Sequence, residues 1–218
     1  MLKRNEPRAP ALRISHFVWG RENREGRVFY LVDPGGESLQ KDIPEEVVLW
    51  RWRHRKNPAG YRFGGDRLSP NVWRAMAVAF PDGSGISADA TLENLRDAAE
   101  AVRTELRTRH YSLPSAECLQ AMFRGIGPER IKDLIARHTS PSRADRYGTP
   151  DLFLYMTPIT PSKAPFIRFV EVKKPRERVR PDQWEEIDYL MSIGIPARVL
   201  RLIEREPTKP KGGNKHGT

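Results

Sequence analysis

Cysteine is nearly absent from this 218-residue chain: Cys118 stands alone. That excludes an internal disulfide and any zinc cluster built from several thiolates. Histidine is scarce as well. His16, His54, His110, His138 and His216 are scattered with no pair at metal-ligand spacing, so each is expected to be structural or exposed. Neither Ser115 nor Cys118 has a neighbouring histidine, which argues against a nucleophile activated by an adjacent base. No stretch approaches the ~20 apolar residues of a membrane span. The opening MLKRNEPRAPALRISHF is basic but lacks a signal peptide's apolar core, so a cytoplasmic, reducing location is expected. Internal repeats of solenoid length are lacking too.

Positive charge is abundant. Lys and Arg number 38 against 28 Asp and Glu, for a formal charge of +10. A polyanionic partner is the first implication, with a merely basic surface as the plain alternative.

Residues 1–13 and 205–218 are rich in Pro, Gly and basic side chains and poor in apolar ones, and read as mobile tails. Lys209, Lys211 and Lys215 in the second are suited only to non-specific phosphate contact. Between Ile14 and Asp33 two apolar runs, HFVWG and RVFYLVD, flank a polar segment, the pattern of a small β element. Next, EEVVLWRWRHRK alternates Trp50 and Trp52 with Arg51, Arg53, Arg55 and Lys56. Stacking on bases is one reading of that run. The favoured one is an amphipathic element that buries its tryptophans and leaves its arginines in water.

Glycines punctuate residues 60–85 without matching a phosphate-binding loop, and VWRAMAVAF within them predicts a short helix. Leu92, Leu95, Ala99, Val102 and Leu106 recur at helical spacing, the stripe of an amphipathic helix over 91–108. A further helix is expected from Ser115 through Phe123, broken by Gly125 and Gly127, and another from Pro128 to His138 with Ile131, Leu134 and Ile135 on one face.

The chemistry concentrates after Gly148. GTPDLFLY, a Pro-rich turn and FIRFVEVKKP form two β-prone runs, the pattern of a hairpin. Side chains alternate along a strand, so Glu171 and Lys173 share a face and Val172 points away. In an antiparallel pair Asp151, opening the first run, comes opposite the end that holds Glu171. Charges on the inner face of an apolar hairpin are costly unless they bind something. Two converging carboxylates, with the Val172 carbonyl as a further oxygen, suit Mg²⁺ or Mn²⁺, and Lys173 suits the neutralisation of developing negative charge. A lone E-x-K or a lone PD is common. Together, at hairpin separation, they carry weight.

RYGTPDLFLY, FVEVKKPRERVRPDQWEEIDYLMSIGIPARVLRL and the lead-in LQAMFRGIGPERIKDLIARH together resemble the VRR-NUC domain, a branch of the PD-(D/E)XK nucleases. They look most like the version at the C-terminus of Fanconi-associated structure-specific nucleases. The resemblance covers about residues 115–203. It implies an α/β fold of restriction-endonuclease type, a mixed sheet flanked by helices, with an N-terminal α+β appendage. The expected division is residues 14–110 as that appendage and 111–204 as the nuclease domain.

By the same resemblance Asp151 and Glu171 are metal ligands, Lys173 is the catalytic lysine, and Gln183 is a helix glutamine near the active site. Pro181 suits the first turn of that helix, with Trp184, Ile187, Leu190 and Met191 as its buried stripe, and IPARVLRL reads as a following strand. Lys174, Arg176, Arg178 and Arg180 are candidate contacts to a DNA backbone. Such nucleases also supply a carboxylate from an upstream helix. Glu117 and Glu129 are candidates within the domain, and Glu46 is a distant one.

Two functions are implied. One is a metal-dependent DNA endonuclease, either in repair or mobile-element processing, or as an antibacterial toxin. The toxin version would leave the cell by a specialised secretion route and be paired with an immunity protein. The other is a nucleic-acid-binding module on an inactive nuclease fold. No membrane partner is implied by either.

Overall fold

The computed structural model describes residues 14–24, 27–31, 39–40, 43–54, 60–81, 86–87, 90–141, 148–160 and 163–204, with side chains described from residue 43 onward, Glu204 excepted. The two expected tails, with Lys209, Lys211, Lys215 and His216, lie outside these residues, as do Arg55 and Lys56.

Seven strands form one sheet in the order β3-β2-β1-β7-β6-β5-β4: β1 (Ile14–Arg24), β2 (Arg27–Leu31), β3 (Leu39–Gln40), β4 (Tyr61–Arg67), β5 (Leu152–Pro158), β6 (Phe166–Lys173) and β7 (Ala197–Glu204). Strands β6, β7 and β1 run parallel to one another, and the remaining pairings are antiparallel, so the sheet is mixed. Among the described residues the helices are α1 (Pro44–Arg53), α2 (Val72–Ala79), α3 (Leu92–Thr108), α4 (Ala116–Ile126), α5 (Pro128–Thr139) and α6 (Pro181–Ser192). No helix among the described residues is long and apolar enough to cross a membrane.

Both faces of the central strands are covered, and strand alternation divides the core in two. Phe153, Phe169, Ala197 and Val199 face one way, into a large cluster with Trp73, Met76, Val102, Leu106, Leu119, Met122, Leu134 and Ile187 from α2 to α6. Leu152, Leu154, Val170, Val172 and Leu202 face the other way, against Val48 and Leu49 of α1. The α/β expectation is met. Strand β4 and helices α2 and α3 share the large core and the sheet with β5 to β7, so the expected division between residues 110 and 111 falls inside one packed body.

Several elements depart from expectation for definable reasons. Strand β4, RFGGD at its centre, lies in a stretch whose glycines predict no strand; it forms because β5 supplies the ladder, from Tyr61↔Pro158 to Arg67↔Leu152. Its glycines permit close packing, since a Cβ on Gly64 would sit 2.3 Å from the Tyr155 ring. Gly125 does not break α4, which runs on to Ile126. The helix packs so tightly there that a Cβ on Gly125 would lie 2.3 Å from Ile167 Cγ2. Gly127, at φ +85°, ends it. Leu92 and Met191, expected in buried stripes, are 50% and 43% exposed. Each lies near one end of its helix, beyond the reach of the core.

Candidate active site

The register Leu152↔Val170 carries Asp151, just before β5, towards Glu171 at the far end of β6. The Val172 N–H donates to Asp151 Oδ2 at 2.8 Å, so the strand that bears Glu171 and Lys173 also fixes the first carboxylate. The Val172 side chain packs into the smaller core. Lys173 Nζ stands 2.8 Å from Glu171 Oε1, and both side chains are at most 5% exposed.

Helix α6 leads from β6 back to the parallel strand β7, and its first turn completes the cluster. Pro181 opens it with a pre-set φ and no N–H to satisfy. The Gln183 side chain accepts from the Arg180 N–H at 3.0 Å and donates through Nε2 to Glu171 Oε1. A glutamine that spacing alone would leave at the surface is thereby buried against β6. Ile187 and Leu190 extend that face into the core, with Trp184 packed beside them.

These groups line an open cleft of about 600 Å³, bounded by Pro44, Glu45, Asp151, Glu171, Val172, Lys173 and the 174–177 turn, with Arg180 and Gln183. Lys174, Arg176 and Arg180 belong to its wall; Arg178 is exposed but does not line it. Arg180 is held by Asp182, Nη2 to Oδ2 at 2.9 Å. Arg176 adopts φ 65°, an uncommon conformation for a residue with a side chain. The turn is braced by Arg201 of β7, whose Nη1 donates to the Glu177 carbonyl at 2.6 Å.

Sequence reasoning missed two carboxylates in this cleft. Glu177 accepts from the Lys174 N–H at 3.0 Å and lies 3.3 Å from Lys173 Nζ. Glu45, in the first turn of α1, lines the cleft and its charge is felt at Asp151. The upstream candidates do not converge here. Glu117 borders a separate cavity beside Tyr155 and Arg124, and Glu129 is a solvent-exposed partner of Lys132. Glu46 is adjacent to the residue that does line the cleft, one position out of phase.

Burial pushes Glu171 up to about 7, reinforced by the negative charge of Asp151 and opposed by Lys173. Asp151 is likewise pushed up by burial, pulled down by the Val172 N–H, and pushed up again by Glu45. Burial would pull Lys173 down, but the hydrogen bond and charge of Glu171, then the charge of Glu177, outweigh it and leave the ammonium favoured. A pair of carboxylates whose ionisation is resisted by burial, and in Glu171 also by the charge of Asp151, is short of positive charge. That deficit, in an oxygen-rich site, fits a hard divalent cation. Among the described residues no three His, Cys, Asp or Glu side chains already stand together as they would around an ion.

The other candidates have structural roles. Ser115 caps α4, accepting from the Cys118 N–H at 3.2 Å, and Cys118 is buried. His54 stacks on Trp50, ring centroids 4.2 Å apart, and His138 is buried beside Glu186.

The VRR-NUC domain family model matches residues 86–202. No curated protein matches the chain. Among solved structures, the fold is similar to paFAN1 bound to 2nt 5'flap DNA with gap, at TM-score 0.54 and 14% identity over 95% of this chain and 40% of that one. It is also similar to paFAN1 bound to 1nt 5'flap DNA with gap, at TM-score 0.56 and 14% identity over 94% of this chain and 40% of that one. The chain thus spans about two-fifths of the length of those solved chains, and at such identity the likeness is one of fold.

Proposed function

Because this chain belongs to the VRR-NUC domain family, we propose that it is a divalent-metal-dependent nuclease that hydrolyses phosphodiester bonds in branched or flapped DNA. The observation that carries this reading is half-buried Asp151, at the start of β5, brought beside buried Glu171 of β6, with the Lys173 ammonium against Glu171, opening into a cleft with cationic walls. The flapped-DNA part is supported by the similar paFAN1 structures, in which that protein is bound to 5'flap DNA with a gap.

Asp151 and Glu171 would hold the cation, with the Val172 carbonyl as a further oxygen and Glu45 as the carboxylate from an upstream helix. Mg²⁺ or Mn²⁺ supplies Lewis-acid stabilisation of the charge that builds on the scissile phosphate. The chain's own groups do the rest. Lys173, kept charged by its carboxylate neighbours, donates towards the same developing charge. Gln183 fixes Glu171, the Val172 N–H fixes Asp151, and both are thereby pre-set before substrate arrives. Lys174, Arg176 and Arg180 hold flanking phosphates. In the overall step a water oxygen bonds to phosphorus and the ester bond to a sugar oxygen breaks.

The test is cleavage of plasmid, branched and 5′-flapped DNA with Mg²⁺ or Mn²⁺. Asp151→Ala, Glu171→Ala and Lys173→Ala are each expected to lower the rate by at least about 100-fold. Cleavage that persists in all three variants removes the site assignment. Failure of the wild type on every substrate points instead to a binding module on an inactive fold. A role in repair and a role as a toxin share this chemistry; induced expression that stops growth unless an immunity protein is present favours the toxin.

A further inference from the structure

We infer that Trp52 and Arg53 are positioning residues that set Glu45 at the cleft, making α1 a strut between the free edge of the sheet and the metal-binding site; this rests on the metal-dependent reading above. Neither residue lines the cleft.

Glu45, Val48, Leu49 and Trp52 stand at i, i+3, i+4 and i+7, one face of a helix. Val48 and Leu49, 4% and 2% exposed, pack on Leu152, Leu154, Val170 and Val172, of which Leu152 follows Asp151 in sequence and Val170 and Val172 flank Glu171. One end of the stripe is the carboxylate beside Asp151. The other end is fastened. Trp52 Nε1 donates to the Gly64 carbonyl at 2.8 Å and to the Tyr155 carbonyl at 3.3 Å, and its ring meets Phe63 edge-on at 4.7 Å. Arg53 Nη2 donates to the Gly65 carbonyl at 2.5 Å and to Asp66 Oδ1 at 2.9 Å. Asp66 is itself anchored, its Oδ2 accepting from the Ser115 N–H at 2.9 Å.

Val48 and Leu49 alone allow α1 to slide and roll on a smooth aliphatic surface. Directional bonds at its C-terminal end remove that freedom, and over the ~10 Å from Trp52 to Glu45 a straight helix transmits the constraint. This accounts for two sequence features that the catalytic cluster leaves unused. The Trp–Arg alternation puts adjacent residues on adjacent carbonyls of β4. The Gly64–Gly65 pair leaves those carbonyls approachable and gives Tyr155 room.

The experiment titrates Mn²⁺ into the full chain without DNA and reads free Mn²⁺ by electron paramagnetic resonance. Glu45→Gln, Trp52→Phe and Arg53→Ala are each expected to weaken Mn²⁺ binding by about 10-fold, the range seen when supporting groups of metal ligands are removed. Arg53→Lys, which keeps a donor, recovers part of the loss. Thr91→Ala, which removes the α3 cap accepting from the Asn94 N–H, controls for general loosening and is expected to bind Mn²⁺ like the wild type. Wild-type affinity in both Trp52→Phe and Arg53→Ala, with Glu45→Gln weakened, overturns the strut and leaves the metal site standing. An equal loss in Thr91→Ala overturns it too. Wild-type affinity in Glu45→Gln alongside loss in Asp151→Asn removes Glu45 from the site and the strut with it. Wild-type affinity in Asp151→Asn and Glu171→Gln as well sinks the underlying reading.

Discussion

Glu186, on α6, is 1% exposed and yet ionised, because both of its oxygens are engaged from α5. His138 Nε2 lies 2.8 Å from Oε1, and Arg137 Nε donates to Oε2 at 3.1 Å while its guanidinium covers the Tyr189 ring. Burial alone would push this carboxyl up; His138 and then Arg137 outweigh it and hold the group below its ordinary 4.5. A depressed carboxyl stabilises the fold at every pH above its unfolded value, and that contribution disappears as pH falls through the lower, folded value. Glu186→Gln is therefore expected to cost about 3 kcal/mol at pH 7, the scale of a broken buried pair. Its melting temperature should also decline less steeply than the wild type's as acid is added below pH 4.5. Thermal melts of both proteins from pH 7 to pH 3 provide the check; parallel curves would assign the acid sensitivity elsewhere. Glu186 stands one turn after Gln183, so the same pair steadies the helix that holds Glu171.

Among elements, α4 and α1 show what a single sequence encodes and what it hides. Gly125→Ala is expected to destabilise by about 2 kcal/mol, because the new methyl would sit well inside contact distance of Ile167 Cγ2 and force a shift. Pairing it with Ile167→Ala should return part of that loss, measurable as a coupling energy in urea unfolding. The helical stripe of α4 was legible, but its extent past Gly125 was not, because a close approach to β6 is a tertiary fact. The β5–β6 hairpin was legible with its chemistry, since alternation within about twenty residues decides which side chains meet. Glu45 was not, being more than 100 residues from Asp151. Its one local signal was phase: Glu45 shares the stripe of Val48, Leu49 and Trp52, whereas Glu46 lies about 100° away around the helix. Strand β4 was hidden for a related reason, as Gly-Gly-Asp is a poor strand former until β5 supplies the ladder.

At the scale of the whole molecule the surplus of cations, +10 over the full sequence, governs association with a polyanion. DNA affinity is expected to fall linearly in log–log form with salt, and Arg176→Ala, which removes one cation from the cleft wall, should lower the slope by about one while weakening all sequences alike. Fluorescence anisotropy over a salt series without metal measures both. A slope unchanged in that variant would move Arg176 off the phosphate path. The fold class and the mixed sheet were readable through the family resemblance, whose hairpin, helix and following strand also stand out as apolar runs. That the described elements before residue 110 share one sheet and core with those after it was not, because it depends on β4 joining β5 and β1 joining β7.

That arrangement has a practical corollary for anyone trimming this protein to the residues 86–202 matched by the family. The cut would strip a neighbour from each side of the remaining three-strand core, baring the backbone of β5 and of β7 at once. Unpaired margins of that kind recruit other chains. Such a fragment would be prone to precipitate, and its inactivity would say nothing about the chemistry of the intact molecule.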